Sequence, residues 1–258
     1  MNESVAKGKL FVVGIGPGSL DDMTLRARRA LEGCDVVVGY TKYIELVRPL
    51  CEDKVIIASG MGGEIERCRA ALREALLGKQ VALVSSGDAG IYGMAGLVLE
   101  IAHSKDIEDT GAIEIIPGVP AFAAAAARVG APLMHDFASI SLSDLLTAWE
   151  KIEKRLEAAA QADFVTCLYN PKSKKRTFQI ERAREIFLQQ RNKNTPCAIV
   201  RNVSRSDESA VITTLDALLQ HEIDMFCMVI IGNSETRSSG PWLITPRGYG
   251  QLHSDAPA

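Results

Sequence analysis

Short apolar runs alternate with amphipathic segments along the first half of the chain. Each run is four or five residues long and ends in turn residues, a pattern typical of strands buried on both faces of a sheet. The segments between them have the apolar spacing of helices, most strongly in residues 64–77, which Gly78 closes. This alternation of strand and helix predicts a parallel sheet. The predicted strands are 9–13, 35–38, 54–57, 81–85 and 113–116, and the predicted helices are 25–31, 64–77, 95–103 and 121–129.

The organisation changes after Gly130-Ala131-Pro132. The strand predicted at 209–213 alternates apolar and polar residues and follows a turn, which indicates antiparallel pairing. We therefore expect an α/β fold of two α/β domains with a cleft between them: an N-terminal domain over 1–131, a C-terminal domain with a mixed sheet over 132–250, and a tail over 251–258. The other predicted elements of the second domain are the strands 137–141, 163–169, 196–200 and 226–231 and the helices 145–161 and 177–190.

Composition narrows the class of protein. The chain has 258 residues, is 47% hydrophobic and 24% charged, and carries a net charge of −3, which gives no basic field for nucleic acid or anionic membranes. No apolar run approaches the ~18 residues of a membrane span, and the first nine residues lack the apolar core of a signal peptide. None of the six cysteines forms a CxxC pair, and the four histidines lack metal-ligand spacing. We expect a soluble, cytoplasmic protein with buried free thiols and no metal site.

Glycine-rich corners follow several of the predicted strands. Gly14-Ile15-Gly16-Pro17-Gly18 follows the first strand, and similar corners follow strands 81–85 and 113–116. A dinucleotide site needs GxGxxG, but Ser19 stands at the third glycine position, so this type of site is disfavoured. Open α/β sheets bind ligands at the carboxyl ends of their strands. Because glycines let the backbone approach a ligand closely, we expect these corners to share one pocket.

Three further stretches allow both a functional and a structural interpretation. Gly87-Asp88 in the second corner is either an ordinary turn with a capping residue or part of the shared pocket. The stretch 170–176 has four cations in five residues, which suits either a solvated loop or a docking site for carboxylates or phosphates. Cations at a helix start oppose the helix dipole, which mildly favours docking. The polar loop 232–237 is either a connection or a hydrogen-bonding surface, and neither a nucleophile elbow nor a P-loop is present.

The corners together resemble the signatures of the tetrapyrrole methylase family, S-adenosylmethionine-dependent enzymes of corrin and sirohaem synthesis. Residues 13–19 followed by Met23-Thr24 are similar to the first signature, although Ser19 replaces its usual acidic residue. Residues 81–93 with 113–118 are similar to the second, and the resemblance covers roughly 9–247. The motifs at 169–173 with Arg176, at 201–203 and at 232–234 look like the branch that methylates C-17 of precorrin-3B, or of cobalt-factor III in the anaerobic pathway, with ring contraction to precorrin-4.

The resemblance implies a homodimer that binds S-adenosyl-L-methionine between its two domains and acts on a tetrapyrrole substrate. Pro120 stands where relatives commonly have Thr or Ser, so it offers only its carbonyl. The substrate carries many carboxylates, and the cations of 170–176 are suitable partners for them. The implied cofactor residues are Gly16, Pro17, Gly18, Ser86, Gly87, Asp88, Ile91, Pro120, Ala121, Asn170 and Val203; the implied substrate residues are Tyr92, Lys172, Ser173, Arg176 and Asn233. The candidate catalytic residue is Asp88, which either takes part in the proton movements of ring contraction or holds the backbone.

Three alternatives stay open at this point. A sister enzyme would methylate another carbon of the macrocycle, and a carrier would bind a tetrapyrrole or nucleotide without catalysis. A diphthine-type protein methylase is the third, and the loop at 169–173 argues against it.

Overall fold

A computed structural model describes residues 8–104 and 113–249. The chain divides into two compact units, Met1–Ala121 and Phe122–Ala258. The domain boundary expected from the sequence, between residues 131 and 132, lies at the other end of helix α5 (Ala121–Val129) and stays a prediction. The tail predicted over 251–258 falls outside the described residues.

The first unit is built on a five-stranded sheet with the order β3-β2-β4-β1-β5. Every pairing in this sheet is parallel, as the alternation of strand and helix predicted. All five strands therefore end at the same edge. The elements are β1 (Lys9–Gly14), α1 (Leu25–Glu32), β2 (Val36–Tyr40), α2 (Thr41–Val47), β3 (Val55–Ser59), α3 (Glu64–Leu76), β4 (Gln80–Ser85), α4 (Ala95–Ser104) and β5 (Ile113–Ile116), with short 3-10 helices at Leu20–Asp22 and Arg48–Leu50.

Helices cover both faces of this sheet, so the middle positions of its central strands are apolar on both faces. Val12 and Leu83 face a core formed with α3 and α4. Their neighbours Val13 and Val84 face the opposite core, formed with α1 and α2. Successive side chains of a strand point to opposite faces, which is why a continuous apolar run was the correct signal for a strand here.

Local signals set the ends of two helices as expected. Thr24 caps α1, since its hydroxyl accepts a hydrogen bond from the Ala27 amide at 3.1 Å. Gly78 follows α3 with a φ of 89°, a left-handed conformation that glycine adopts without strain. The closure of α3 at Gly78 was predicted from residue type alone, and threonine is a typical residue at the N-cap position that Thr24 occupies.

The second unit contains a five-stranded sheet with the order β10-β9-β11-β8-β7. β7 and β8 are parallel, whereas β11 runs antiparallel to both β8 and β9, and β10 pairs antiparallel with β9 as predicted. β7, β8 and β9 consequently end at one edge of the sheet, and β10 and β11 end at the other. The elements are β6 (Gly130–Ala131), β7 (Phe137–Ser141), α6 (Trp149–Gln161), β8 (Val165–Tyr169), α7 (Phe178–Gln190), β9 (Pro196–Arg201), β10 (Ser209–Thr214), β11 (Cys227–Ile231), β12 (Arg237–Ser239) and β13 (Trp242–Ile244), with a 3-10 helix at Leu218–Gln220.

In the second unit, one predicted helix start is wrong and one small sheet was not predicted. Helix α6 begins at Trp149 rather than at 145, because Leu145 and Leu146 are exposed in a loop instead of packing in the core. The three-stranded sheet β12-β13-β6 was not predicted, since its strands have two or three residues each.

The cysteines confirm the interpretation of the composition. All six are buried free thiols. Burial raises the pKa of the Cys34 thiol to about 11, so it is protonated at neutral pH. Across residues 8–104 and 113–249, no helix combines the length and the apolar character that a membrane crossing requires.

Candidate active site

Three glycine-rich corners lie side by side at the carboxyl edge of the first sheet. β1 lies between β4 and β5, so the turns that follow these strands are neighbours. The amides of Ile15 and Gly16 donate to the carbonyls of Ser85 (2.9 Å) and Gly87 (3.1 Å), and the Gly87 amide donates to the Gly16 carbonyl at 2.7 Å. The predicted convergence of the corners therefore occurs within the first unit.

The glycines at this junction are required by backbone packing. A β-carbon on Gly118 would lie 2.1 Å from the Gly87 carbonyl oxygen and 2.6 Å from that of Gly14. Gly16 and Gly87 have φ values of 79° and 65°, which are unfavourable for residues with side chains. We call Gly14, Gly16, Gly87 and Gly118 the glycine joint. These positions need glycine first because the three corners contact one another there. Contact with a ligand would be a second reason.

Asp88 ties two of the corners together. Its Oδ1 accepts a hydrogen bond from the Gly90 amide at 2.8 Å, and its Oδ2 accepts one from the Gly118 amide at 3.0 Å. Both carboxylate oxygens are thus engaged by backbone N–H groups. Of the two interpretations left open by the sequence, this geometry favours the residue that holds the backbone.

A side chain that the sequence did not assign to the site joins the first corner to the third. The hydroxyl of Thr24, besides capping α1, donates to the carbonyl of Pro117 at 3.2 Å. The sequence places Thr24 in the first family signature but gives no sign of this bond.

The predicted cofactor residues of the first unit surround the glycine joint. Pro17 is buried, whereas Ser86 and Ile91 on the second corner are half-buried. Pro120 and Ala121 are also half-buried and mark the beginning of α5. An added β-carbon on Gly87 would lie 3.7 Å from the Cα of Pro120 and 3.5 Å from the Ala121 amide. The absence of a side chain at Gly87 therefore leaves space between the second corner and the start of α5.

Tyr92, a predicted substrate residue, follows the second corner. Its side chain is 54% exposed, and its φ of 52° is a left-handed conformation that is uncommon for an aromatic residue.

Arg67, which the sequence did not single out, is buried at the ends of β2 and β3. It donates to the Ser59 hydroxyl at 2.8 Å and the Gly60 carbonyl at 2.7 Å, so it anchors the glycine-rich turn after β3. An arginine in the first turns of an amphipathic helix was its only signal.

In the second unit, the loop over residues 170–176, here the basic loop, follows β8. Asn170 has a φ of 51° and donates from its side chain to the Ser141 hydroxyl at 3.0 Å, which links the ends of β8 and β7. The amide of Ser173 donates to the Arg176 carbonyl at 2.8 Å, and the Ser173 hydroxyl accepts from the Arg176 amide at 3.1 Å. These bonds close a tight turn at the carboxyl edge of the second sheet.

Arg176 faces inward from the basic loop. Its side chain is buried and donates to the carbonyls of Asn170 (2.5 Å) and Leu142 (3.1 Å), with the Asp144 carboxylate 3.9 Å from its Nε. Burial lowers the pKa of the Arg176 guanidinium, and Asp144 opposes that shift. The geometry gives Arg176 a positioning role inside the loop rather than the exposed position expected of a carboxylate partner.

The lysines of the basic loop have a different environment. Lys172 is half-buried, whereas Lys174 and Lys175 are exposed. None of the three forms a salt bridge with any residue that the structure describes. Their charges are therefore available to an anionic ligand.

Val203 lies at the same edge, after β9. It is buried and follows Asn202, whose amide donates to the Phe226 carbonyl at 3.1 Å and whose side chain donates to Asp207 at 2.7 Å. Asn202 has a φ of 49°, so the turn is a left-handed corner held from both sides.

Asn233 lies at the opposite edge of the second sheet. It follows β11, which runs antiparallel to β8, so about one strand length of roughly 17 Å separates it from the basic loop. Its side-chain oxygen accepts from the Glu235 amide and from both the amide and hydroxyl of Thr236 at 2.9–3.1 Å. It borders a separate cavity of about 400 Å³ together with Arg191. Within the second unit, Asn233 is therefore separated from the basic loop, and its assignment to the substrate stays a prediction.

The family model described as tetrapyrrole (corrin/porphyrin) methylases matches residues 9–219. The chain is 48% identical over 240 residues to a probable cobalt-factor III C(17)-methyltransferase of Salmonella typhimurium, covering 93% of this chain and 99% of that protein. It is 40% identical to a precorrin-3B C(17)-methyltransferase of Sinorhizobium sp., covering 94% and 97%.

A third relative is longer than this chain. The cobalt-factor III methyltransferase of Priestia megaterium is 50% identical over 94% of this chain, but the chain spans only 45% of that protein. Among solved structures, the methyltransferase CobJ aligns with a TM-score of 0.88 and 36% identity, covering 93% of this chain and 100% of CobJ. A Thermus thermophilus uroporphyrin-III C-methyl transferase complexed with S-adenosyl homocysteine aligns with a TM-score of 0.68 over 87% of this chain and 97% of that one; its 23% identity indicates a shared fold.

Proposed function

Because the chain belongs to the tetrapyrrole (corrin/porphyrin) methylase family, we propose that it is an S-adenosylmethionine-dependent methyltransferase of cobalamin biosynthesis. The proposed reaction methylates C-17 of cobalt-factor III or precorrin-3B and contracts the macrocycle, yielding precorrin-4 from precorrin-3B. Relatives named for each of these two substrates match more than nine-tenths of the chain, which supports this assignment over a sister enzyme acting at another carbon.

The glycine joint is the single observation that carries the proposal. It brings the ends of β1, β4 and β5 together at the carboxyl edge of a parallel sheet, where folds of this class bind ligands. Nine of the eleven predicted cofactor residues belong to these corners and to the start of α5, and the nine are Gly16, Pro17, Gly18, Ser86, Gly87, Asp88, Ile91, Pro120 and Ala121.

The residues at this edge fit a cofactor such as S-adenosylmethionine. The space beside Gly87 is one that a β-carbon would fill, and it is bordered by backbone groups of Pro120 and Ala121. Half-buried Ile91 offers an apolar surface and Ser86 a hydroxyl, which suit the mixed polar and apolar surface of an adenosyl group. Pro120 has no amide hydrogen and no polar side chain, so only its carbonyl can form a hydrogen bond with the cofactor.

The chemistry needs positioning more than it needs a reactive side chain. When bound, the cofactor supplies a methyl group on a sulfonium, and transfer to an electron-rich carbon releases a neutral thioether. The protein contributes by aligning the two reactants and excluding water. Asp88 supports alignment by holding the second and third corners, since both of its oxygens already accept backbone hydrogen bonds.

On the substrate side, we assign the carboxylate contacts to the lysines of the basic loop. Lys172, Lys174 and Lys175 form no salt bridge with the described residues, whereas Arg176 is buried and holds the loop from inside. Ser173 closes the turn of the basic loop through its hydrogen bond with Arg176. Tyr92 of the first unit is exposed and is a further candidate for contact with the substrate. Asn233 lies at the opposite edge of the second sheet, so a substrate contact there would be separate from those of the basic loop.

The experiment that tests the proposal is transfer of a labelled methyl group. The protein is incubated with methyl-labelled S-adenosylmethionine and either cobalt-factor III or precorrin-3B, and the product is analysed by mass spectrometry and NMR. We expect label on C-17 of a ring-contracted product, from one of the two substrates in preference to the other.

Other outcomes select the alternatives. Label on another carbon identifies a sister enzyme, and cofactor binding without transfer identifies a carrier. Failure to bind either S-adenosylmethionine or S-adenosylhomocysteine in calorimetry would rule out the whole proposal. The homodimer stays part of the proposal, and sedimentation of the intact protein tests it.

A further inference from the structure

The loop between β7 and α6, residues 142–148 and here called the leucine loop, exposes two adjacent leucines. Leu145 is 85% exposed and Leu146 is fully exposed. Three residues later, Trp149 packs edge-on against Phe178, which is itself 49% exposed. A single exposed leucine is ordinary on a protein surface, but two adjacent ones in one loop make a local apolar patch, and the partly exposed aromatic pair follows three residues later along the chain.

The leucine loop is held firmly at its base. The guanidinium of Arg176 donates to the Leu142 carbonyl, and its Nε lies 3.9 Å from the Asp144 carboxylate. The side-chain amide of Gln179 donates to the same carboxylate at 2.9 Å. The negative charge of Asp144 is therefore balanced by the Arg176 guanidinium and the Gln179 amide, so it does not repel an anionic ligand strongly.

The same guanidinium holds the basic loop. Arg176 donates to the Asn170 carbonyl, and the Asn170 side chain bonds to Ser141 at the end of β7. The leucine loop and the basic loop thus follow two adjacent parallel strands and share one buried anchor. The loop with the two exposed leucines and the loop with the lysines therefore lie at the same edge of the second sheet, and none of these lysines forms a salt bridge with the described residues.

We infer that Leu145 and Leu146 pack against a face of the tetrapyrrole while the lysines of the basic loop bind its carboxylates. This inference rests on the proposed function and assigns two specificity-determining residues to it. A tetrapyrrole is a flat, largely apolar ring with carboxylates on its rim, so its recognition needs an apolar surface flanked by cations. The leucine loop and the basic loop supply that combination.

The test replaces both leucines by serine in the otherwise intact protein. Because the side chains are exposed, we expect an unchanged melting temperature. The Kd for cobalt-factor III, measured by equilibrium dialysis and its visible absorbance, should rise about tenfold, which corresponds to about 1.4 kcal/mol. KM should rise with it, while kcat and the Kd for S-adenosylhomocysteine stay within about twofold, since the substitution removes contacts made equally before and during transfer.

Two further variants serve as matched controls. Leu76 and Leu77 at the end of α3 are also exposed, at 62% and 65%, so their double serine variant should bind cobalt-factor III like the wild type. Leu145→Met with Leu146→Met preserves apolar contact and should retain most of the affinity.

The outcomes separate this inference from the proposed function. If the wild type binds and methylates cobalt-factor III and the leucine-to-serine variant does so with the same Kd and KM, the inference fails and the function stands. If the serine variant instead dissociates an oligomer in sedimentation, the patch covers a second copy of the chain and the inference is overturned. A wild type that binds no tetrapyrrole refutes both.

Discussion

Replacing Asp88 by asparagine tests whether this residue holds the glycine joint or moves protons. The carboxylate accepts hydrogen bonds from the amides of Gly90 and Gly118. Asparagine keeps one acceptor oxygen and turns an NH₂ group towards the other amide, so one bond is lost and one backbone N–H has no acceptor. A hydrogen bond to a charged group contributes about 1.5–3 kcal/mol, so we expect Asp88→Asn to lower the free energy of unfolding by about 2 kcal/mol.

The assay is thermal unfolding combined with steady-state kinetics. For a chain of this size, 1 kcal/mol corresponds to about 2–4 °C in melting temperature, so a fall of roughly 4–8 °C is expected. The Kd for S-adenosylhomocysteine should rise as well, because the second and third corners lose a link. Asp53→Asn is the control, since that side chain is exposed and the expected change is within about 0.5 kcal/mol.

The opposite pattern would refute the reasoning. An unchanged melting temperature with a fall in kcat of about a hundredfold or more is what loss of a general acid or base produces. Asp88 would then act on the reaction itself, and the two backbone hydrogen bonds would be incidental to its role.

Three further predictions follow from contacts within single units. Gly118→Ala should prevent assembly of the glycine joint and strongly lower the melting temperature and cofactor affinity, because its β-carbon would lie 2.1 Å from a carbonyl oxygen. The control is Gly96→Ala in α4, where an added β-carbon has no atom within 4 Å, and this variant should be more stable than the wild type by up to about 1 kcal/mol. Equal melting temperatures for the two variants would contradict this prediction. Hydrogen bonds from Lys9 and Arg26 lower the pKa of Glu114, so its stabilising effect is present above the unfolded-state value near 4.5 and is lost as the pH falls through the lower folded-state pKa. Glu114→Gln should therefore melt below the wild type at pH 7 and converge with it as the pH falls below the folded-state pKa of Glu114. A gap that persists in acid would exclude this ion pair as its cause. Lys172→Ala should raise KM for the tetrapyrrole several-fold without changing the melting temperature, whereas Arg176→Ala should lower the melting temperature as well, since it releases both loops; equal stability of the two variants would contradict the buried role of Arg176.

Several elements were predictable because their signals are local. β5 and α5 have the predicted bounds, Ile113–Ile116 and Ala121–Val129, since Pro117 and Pro120 punctuate the chain between them. Helix α2 (Thr41–Val47) was missed for the converse reason. It begins immediately after β2 at Tyr40 and has no side-chain cap, so no residue type marks its start.

The candidate site shows the same contrast between local and non-local information. Family signatures and glycine corners predicted which loops form the site, whereas the contacts of single side chains depend on partners that are distant in the sequence. Arg176 belongs to a cluster of cations in the sequence, but only its burial against Leu142 and Asn170 distinguishes it from the neighbouring lysines. Asn233 has a residue type suited to ligand binding, but the antiparallel direction of β11 carries it to the far edge of its sheet.

The sequence by itself determined most of the longer elements, the parallel first sheet and the family, because the spacing of apolar residues, the turn residues and the motifs are local signals. Only the tertiary structure decided that Asp88 binds backbone amides, that Arg176 faces inward and that Leu145 and Leu146 face solvent. These properties depend on strand direction and on contacts between residues some thirty positions apart, as between Asp88 and Gly118, and no local pattern encodes them.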